Sequence, residues 1–236
     1  AALHDGADAL FAAEPVRVLR LIDLAPDDVP RLLLKPWLPR LTALELHHVY
    51  PKDRRRALNG EDVAQLLDTD KLRGLRRIDF TGHALDDTGL MMFAHNATAA
   101  IPRLESLTVS RDGLTPVGVG VLVEHHWFQR LLALDLRKNH LGLGGSALVA
   151  NAVSPLRMQS LDLGDNLLGD EGARVLAGSV RLSGLRILRL NTNHIGPYGA
   201  RALLDSGVLR GLKHLDLEGN RIGQVAAERL KERNAT

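Results

Sequence analysis

Leucines recur along the chain at a spacing that alternates with polar residues. The pattern reads leucine-x-x-leucine-x-leucine-x-x-asparagine-x-leucine-glycine, with isoleucine or methionine replacing some leucines. Its asparagines lie 27 residues apart in the second half of the chain, and so do the glycines that follow them. A constant period of this length indicates a repeat protein with one supersecondary unit per copy. The regular copies start at Leu131, Met158, Leu185 and Leu212, and their asparagines are Asn139, Asn166, Asn193 and Asn220.

Looser copies precede the regular ones at unequal intervals. They start at Val16, Leu41, Leu75 and Leu104, which brings the expected total to about eight repeats. The first two carry Leu24 and Val49 where asparagine is expected. In the third copy His83 takes that position, and we expect it to act as a buried hydrogen-bonding substitute.

Each copy predicts a short strand followed by a helix. Alternate side chains of a strand point to opposite faces, so the leucines face the core and the residues between them face solvent. The asparagine falls where the chain turns away, and there its amide can bond the backbone of neighbouring turns. Helix starts are marked by Thr115-Pro116, by Asp86-Asp87 and by Asp170-Glu171, which place a cap, a proline or acid in a first turn. One column of small residues lets the helices approach the sheet, namely Ser146, Ala173, Ala200 and Ala227.

The two ends and one insertion depart from the repeat. Residues 1–14 predict an N-terminal capping helix with Leu3, Leu10 and Phe11 on one face. Residues 223–236 predict a C-terminal helix and tail with a polar exterior. The longest repeat holds an insertion at 50–60, which maps to an exposed loop. That loop is basic, and two interpretations stay open: a solvated loop without a partner, or a docking site for an acidic partner or phosphate. Its cations are Lys52, Arg54, Arg55 and Arg56.

The pattern resembles the leucine-rich repeat, and its length with a true helix is similar to the ribonuclease-inhibitor-like subclass, in its bacterial type. The resemblance covers about residues 15 to 230 and implies a right-handed α/β solenoid, a horseshoe arc in which the whole chain, 1–236, is one domain. Because a helix is about twice as wide as the spacing between strands, the parallel sheet is expected on the concave face and the helices on the convex face. Cysteine, common in the mammalian inhibitor, is absent, so ribonuclease inhibition is not implied.

The composition of the chain argues against several classes of function. The formal net charge is +2, from 30 Lys and Arg against 28 Asp and Glu, and aromatic residues make up 3% of the chain. Both values argue against a nucleic-acid partner, which favours a basic excess and stacking rings. The chain has no cysteine, which excludes disulfides and thiolate metal sites and favours the cytoplasm. No apolar run is long enough to span a bilayer, so we expect neither a membrane anchor nor a signal peptide.

Catalytic and metal-binding chemistry finds little support in the sequence. No phosphate-binding loop, nucleophile elbow or zinc-protease motif occurs. Asp135 and Asp162 lie on neighbouring strands and form a weak candidate for a paired-carboxylate site, although acid is common in this column. His47 and His48 are adjacent on one strand and point in different directions, so they are poor joint ligands for a metal. We therefore expect no enzyme activity, no cofactor and no metal.

The resemblance implies a non-catalytic protein-protein interaction module that binds a macromolecular partner on the concave face. An alternative is a sensor or recruiting arm of a larger regulatory or enzymatic protein, GTPase-activator-like or ligase-associated, with a further domain lost upstream of Ala1. A structural spacer is a third possibility. We expect a monomer or weak homo-oligomer and no nucleic-acid or membrane partner. The predicted binding residues are Glu45, His47, His48, Arg137, Asp162, Arg189, Asn191, Asp216 and Glu218.

Overall fold

The computed structural model describes residues 11, 16–49, 57–83, 85–152 and 156–235. The chain divides into two compact units at residue 112. We call residues 1–112 the first unit and residues 113–236 the second unit, and each is described by itself. In both units short parallel strands alternate with helices in chain order.

The described residues of the first unit form four strands, which pair in parallel with their neighbours in sequence. They are β1 (Val18–Ile22), β2 (Ala43–His47), β3 (Arg77–Asp79) and β4 (Ser106–Thr108). The helices between them differ in length: α1 (Val29–Leu33), α2 (Gly60–Leu67) and α3 (Asp86–Ala100), with 3-10 turns at Pro26–Asp28 and Leu38–Arg40.

The second unit repeats one strand and one helix with little variation. Its strands, also paired in parallel in chain order, are β5 (Ala133–Asp135), β6 (Ser160–Asp162), β7 (Ile187–Arg189) and β8 (His214–Asp216). Its helices are α4 (Pro116–Glu124), α5 (Gly142–Ala150), α6 (Gly169–Gly178), α7 (Pro197–Asp205) and α8 (Gln224–Ala235). Among the described residues of this unit, short 3-10 turns precede β5, β7 and β8, at Phe128–Arg130, Val180–Leu182 and Val208–Gly211.

Alternation along the strands builds the core as the leucine spacing predicts. The central strand leucines of the second unit, Leu134, Leu161, Leu188 and Leu215, are all buried and face the helices. Each fully buried leucine contributes about 1.5–3 kcal/mol through removal of apolar surface from water. Trp127 is buried as well. The predicted α/β solenoid is thereby confirmed.

A ladder of asparagine side chains joins successive repeats of the second unit. The Asn166 side chain is fully buried; its amide donates to the carbonyl oxygens of Leu136 and Leu163 at 2.9 and 3.1 Å. Its Oδ1 accepts from the backbone N–H of Leu141, and its own backbone N–H donates to Oδ1 of Asn193. One side chain thus satisfies backbone groups of two neighbouring repeats, because an amide carries both donors and acceptors. The predicted role of the asparagine column is confirmed.

Titratable residues occupy the same column in the first unit. His83 is buried and its Nδ1 accepts from the backbone N–H of Leu58 at 3.0 Å, 25 positions back, as Asn166 accepts from Leu141. A neutral ring that accepts at Nδ1 carries its proton on Nε2. Burial, followed by repulsion from His48, lowers the pKa of His83 from 6.5 to about 4. The substitution of histidine for asparagine in the ladder is as predicted.

Asp112 fills the next position of this column and is also buried. Burial raises the pKa of its carboxyl well above the usual value; the backbone N–H of Leu85 opposes the shift, and the charge of Asp79 adds to it. An ionised carboxylate offers acceptors only, whereas an asparagine also donates. The ladder position therefore favours the protonated acid.

Helices begin where the sequence predicts caps and first-turn acids. The Thr115 hydroxyl accepts from the backbone N–H of Val117 at 3.2 Å, ahead of the proline that opens α4. The Asp170 carboxylate, in the first turn of α6, accepts from the backbone N–H groups of Gly196 and Gly199 and so also holds the start of α7. Carboxylates at helix N-termini offset the unsatisfied N–H groups and the helix dipole. Across the described ranges, no helix combines the length and apolarity that crossing a membrane requires.

Three residues beyond the end of most strands, the backbone is left-handed. Lys138, Asp165 and Thr192 have φ between 54° and 58°, at equivalent positions of three repeats. Gly82 takes the same position in the first unit with φ of 84°, and a Cβ there would lie 2.3 Å from the carbonyl oxygen of His48. Only glycine fits this close approach of two turns.

Helix α8 covers the backbone of β8. The side-chain amide of Asn234 donates to the carbonyl oxygen of Leu215 at 2.9 Å and accepts from the Leu215 N–H at 3.2 Å. These are the two bonds that a further parallel strand would offer to Leu215. Helix α8 lies within the 223–236 segment predicted as a C-terminal helix.

Two predictions fall mainly outside the described residues. The basic loop of Lys52, Arg54, Arg55 and Arg56 lies outside them entirely. Of the predicted capping helix at 1–14, only Phe11 is described; it is buried and stacks on Trp37 with ring centroids 4.0 Å apart.

Candidate protein-binding face

One face of each sheet carries the residues that alternate with the core leucines, and we call it the polar sheet face. The register of the strands confirms the columns drawn from the sequence. In the first unit Arg20 pairs with Glu45, Glu45 with Asp79 and Asp79 with Thr108. In the second unit the corresponding column runs Asp135, Asp162, Arg189 and Asp216.

The aspartates of this column close the ends of their strands. Oδ1 of Asp162 accepts from the backbone N–H of Gly164 at 3.0 Å, and Oδ1 of Asp216 accepts from the N–H of Glu218 at 2.9 Å. This local bond between an aspartate and the residue two positions on is an Asx turn, which fixes the backbone where it leaves the strand. Asp79 and Asp135 make the same bond, to Thr81 and Arg137 respectively. Sequence reasoning missed this role, although the recurrence of aspartate at one offset from the turn is a signal for it.

Glu45 sits beneath two arginines of neighbouring strands. Its carboxylate lies 2.6 Å from Nε of Arg20 and 3.3 Å from Nη2 of Arg77, and its residue is only 4% exposed. The two arginine side chains remain about half exposed. The guanidinium groups, rather than the glutamate, are therefore what the polar sheet face of the first unit presents to a partner.

The adjacent histidines of β2 and its exit point to different carboxylates, as the strand alternation predicts. Nε2 of His47 lies 3.3 Å from Oδ2 of Asp79 on the polar sheet face, where the His47 side chain is partly exposed. Nδ1 of His48 lies 3.2 Å from Oδ1 of Asp23, and its side chain is buried. The His48 ring instead neighbours the His83 ring, with centroids 5.7 Å apart. His47 is thus accessible to a partner, and His48 belongs to the interior.

The second unit presents a more open set of polar groups. Arg137 and Glu218 are exposed, and Arg189, Asn191 and Asp216 are half-buried on the same face. The Asn191 amide lies across Gly164 of the preceding repeat. A Cβ on Gly164 would come within 2.4 Å of Asn191 Oδ1.

Charges on this face are mixed in sign. Asp162 is 6% exposed, so its remaining oxygen contributes little surface. Nε of Arg137 lies 3.3 Å from Oδ2 of Asp135, and this pair is largely solvated. The face combines donors, acceptors and both charges within three strands, an arrangement that favours a polar protein surface over a ligand of a single charge sign.

The arrangement offers little for catalysis. Asp135 and Asp162 are register partners, but each carboxylate already accepts a backbone N–H of its own turn. Among the described residues, no three His, Cys, Asp or Glu side chains are arranged to hold a metal ion. The site chemistry that the geometry does supply is hydrogen bonding and ion pairing across an extended surface.

Comparisons with known proteins agree with the fold. A protein from Bacteroides fragilis solved by the Northeast Structural Genomics Consortium superposes with a TM-score of 0.58 at 15% identity, over 93% of this chain and 72% of that one. An internalin from Listeria monocytogenes superposes with a TM-score of 0.50 at 17% identity, over 95% of this chain and 68% of that one. At these identities the likeness is one of fold.

Sequence comparison identifies the repeat itself. No curated protein sequence matches the chain. The family model described as "Leucine Rich repeat" matches residues 158–177 and 210–230, both within the second unit. Repeat spacing, strand register and family model together support a leucine-rich repeat protein.

Proposed function

We propose that the protein is a non-catalytic interaction module that binds a protein partner through its polar sheet face. Leucine-rich repeat proteins are in general protein-protein interaction modules, and fold likeness alone does not carry a function. The observation that supports the proposal is the set of accessible polar side chains on β5–β8, held on strands whose backbone is fixed by the leucine core, the asparagine ladder and the Asx turns.

The predicted binding residues to test are those whose side chains a partner can reach. Arg137 and Glu218 are exposed and Arg189 is half-buried, and no ladder or turn bond of the described residues is made by the side chains of these three. Arg189 pairs in register with both Asp162 and Asp216, so it lies at the middle of the face. Charged groups at such positions fix the orientation of a partner and its association rate more than the total affinity.

The experiment is affinity capture from the native host with wild type and an Arg137→Glu, Arg189→Glu, Glu218→Lys variant. Glu218 is preferred over Asp216 because the Asp216 carboxylate holds a turn. The matched control carries Arg221→Glu, Lys231→Glu and Glu232→Lys, three exposed residues outside the strands, and it changes the net charge by the same amount. Circular dichroism verifies that every variant folds.

A partner captured by wild type and by the control, and lost by the sheet-face variant, supports the proposal. The captured protein is then purified, and its dissociation constant is expected to rise by about tenfold or more on the triple substitution. Equal capture by all three proteins contradicts the proposal and favours a binding site elsewhere or a structural spacer.

Several finer features belong to the same proposal. The α-helix that follows each strand of the second unit supports the ribonuclease-inhibitor-like subclass. The bacterial type rests on the resemblance of the segments 15–21 and 35–46 to bacterial proteins of this class, and the cytoplasmic location rests on the cysteine-free composition. That residues 1–236 act as one domain, and that the protein is a monomer or weak homo-oligomer, are further parts of the proposal, as is the docking role of Lys52, Arg54, Arg55 and Arg56.

A further inference from the structure

A second polar surface of the second unit differs from the polar sheet face in having charge of one sign. It lies where the chain enters the strands, in the segments 127–132, 156–159, 180–186 and 206–213. These segments contain six Arg or Lys residues and no Asp or Glu. The segments where the chain leaves the strands, 137–142, 164–169, 191–196 and 218–223, contain three Arg or Lys and two Asp or Glu. Cations are therefore concentrated at the entry edge although the whole chain is nearly neutral.

Five of these cations are exposed side chains, and we call them the basic edge: Arg130, Arg157, Arg186, Arg210 and Lys213. None of the five forms an ion pair with a carboxylate of the described residues. Elsewhere in this unit, exposed arginines such as Arg174 and Arg201 pair with acids of their own helices. The basic edge is thus a row of cations that no carboxylate neutralises within the part of the chain that the structure describes.

The backbone holds this row in register. The N–H of Gln159 donates to the carbonyl oxygen of Leu132, that of Arg186 to Gln159, and that of Lys213 to Arg186, at 2.7 to 2.8 Å. The four segments therefore continue the sheet spacing of about 4.8 Å and span roughly 15 Å. Charges fixed in this way lose less entropy on binding than charges on a flexible loop.

The lack of a side chain at Gly211 allows Arg186 to take its position in the basic edge. The Arg186 guanidinium lies across Gly211 and donates to its carbonyl oxygen at 3.1 Å. A Cβ on Gly211 would come within 2.4 Å of Arg186 Nη1. Gly211 therefore makes room for Arg186 beside Arg210 and Lys213, which brings three cations onto neighbouring segments.

We propose that the basic edge is a second interaction surface, which binds a short extended acidic segment of a protein. Arginine forks match carboxylates in a bidentate fashion, and an extended peptide of about five residues covers roughly 15 Å. The aromatic residues of these segments, Trp127 and Phe128, are fully buried, so the edge offers no stacking platform for bases. Its short span also limits the number of phosphates that a nucleic acid places against it. The acidic peptide is therefore the partner that the edge fits best.

The test uses a fluorescently labelled peptide of about six glutamates, whose binding is followed by fluorescence anisotropy at low and physiological salt. Three proteins are compared: wild type, an edge variant with Arg157→Glu, Arg186→Glu and Arg210→Glu, and a control variant with Lys138→Glu, Arg221→Glu and Lys231→Glu. Both variants change the net charge equally, and the control positions are exposed and lie outside the edge. Circular dichroism and thermal melts check that all three fold.

We expect the edge variant to bind the peptide at least about tenfold more weakly than the control variant, with the difference shrinking as salt rises. Equal weakening in both variants overturns the proposal, because attraction then follows net charge alone. Binding of an oligothymidine probe or of phosphatidylserine vesicles that is tighter than peptide binding and is lost in the edge variant overturns the acidic-peptide assignment. None of these substitutions touches the polar sheet face, so the outcome is independent of the function proposed above.

Discussion

The two units fill the same buried column with different chemistry. In the second unit the column is asparagine at every repeat, and each amide bonds the backbone of its neighbours. In the first unit His83 and Asp112 stand at equivalent positions. An asparagine keeps its donors and acceptors at every pH, whereas a histidine or aspartate changes them on titration. The fold accepts several hydrogen-bonding side chains in this column, but of the three only asparagine keeps the hydrogen bonds of the column independent of pH.

Removing a rung of the asparagine column is expected to have the largest effect. Asn166→Ala leaves the buried carbonyl oxygens of Leu136 and Leu163 and the N–H of Leu141 without their partner. Unsatisfied buried polar groups are costly, so we expect a loss of about 3 kcal/mol in the free energy of unfolding. Urea unfolding followed by circular dichroism measures it.

The matched control is Asn151→Ala, since Asn151 is exposed and its amide donates only to the carbonyl oxygen of Ala147. That change is expected to stay within about 0.5 kcal/mol. Similar losses for the two variants would contradict a special role for the column.

The histidine position is expected to make stability fall in acid. Because the pKa of His83 is lowered to about 4 in the folded protein, the unfolded chain binds the proton first as pH falls below 6.5. Stability is then fully present above about pH 6.5 and declines toward pH 4, by about 3 kcal/mol in all. In His83→Asn this part of the decline should disappear.

Asparagine is smaller than histidine, so the readout is the slope of the urea midpoint against pH and not its absolute value. His95→Asn serves as the control, because His95 is exposed on α3. An unchanged slope in His83→Asn, or an equal change in His95→Asn, would show that His83 does not carry the acid sensitivity.

The aspartate position is expected to have the opposite pH dependence. The pKa of Asp112 is raised by burial, so the folded protein holds the proton more tightly and loses stability as pH rises above the usual carboxyl value. Asp112→Asn supplies the neutral donor permanently and should stabilise the protein at neutral pH by about 1–2 kcal/mol.

Thermal melts at neutral and acid pH measure this effect, which should vanish in acid, where Asp112 is protonated. Asp165→Asn removes an exposed carboxylate and is the control. A gain of the same size in both variants, or a gain that persists in acid, would assign the effect to net charge instead of the buried column.

The regularity of the repeats decided what the sequence could predict. A constant period fixes which residues share a strand position, so the leucine core, the polar columns and the burial of Asn166 follow from spacing alone. Caps such as Thr115 are local and were predicted for the same reason. The family model likewise matches only within the regular unit.

Contacts between side chains of different repeats could not be predicted in the same way. Alternation places Glu45 on the outer face of its strand, yet Arg20 and Arg77 cover it. Long side chains choose among several partners across strands, and spacing does not say which. Asp162 is similar: its column position was predicted, but its turn bond and burial depend on the local backbone. Binding residues predicted from such columns therefore include side chains, such as those of Glu45 and Asp162, whose charged or polar atoms already bond other groups of the protein.

The amide of Asn234 has a consequence for self-association. Open strand edges are templates on which a second chain can add a strand, the usual route to edge-to-edge aggregation. At Leu215 the two groups that would receive such a strand are already occupied by one side-chain amide. Asn234 on α8 thus protects the edge of β8 from strand addition. Its replacement would leave the N–H and the carbonyl oxygen of Leu215 open to a second chain.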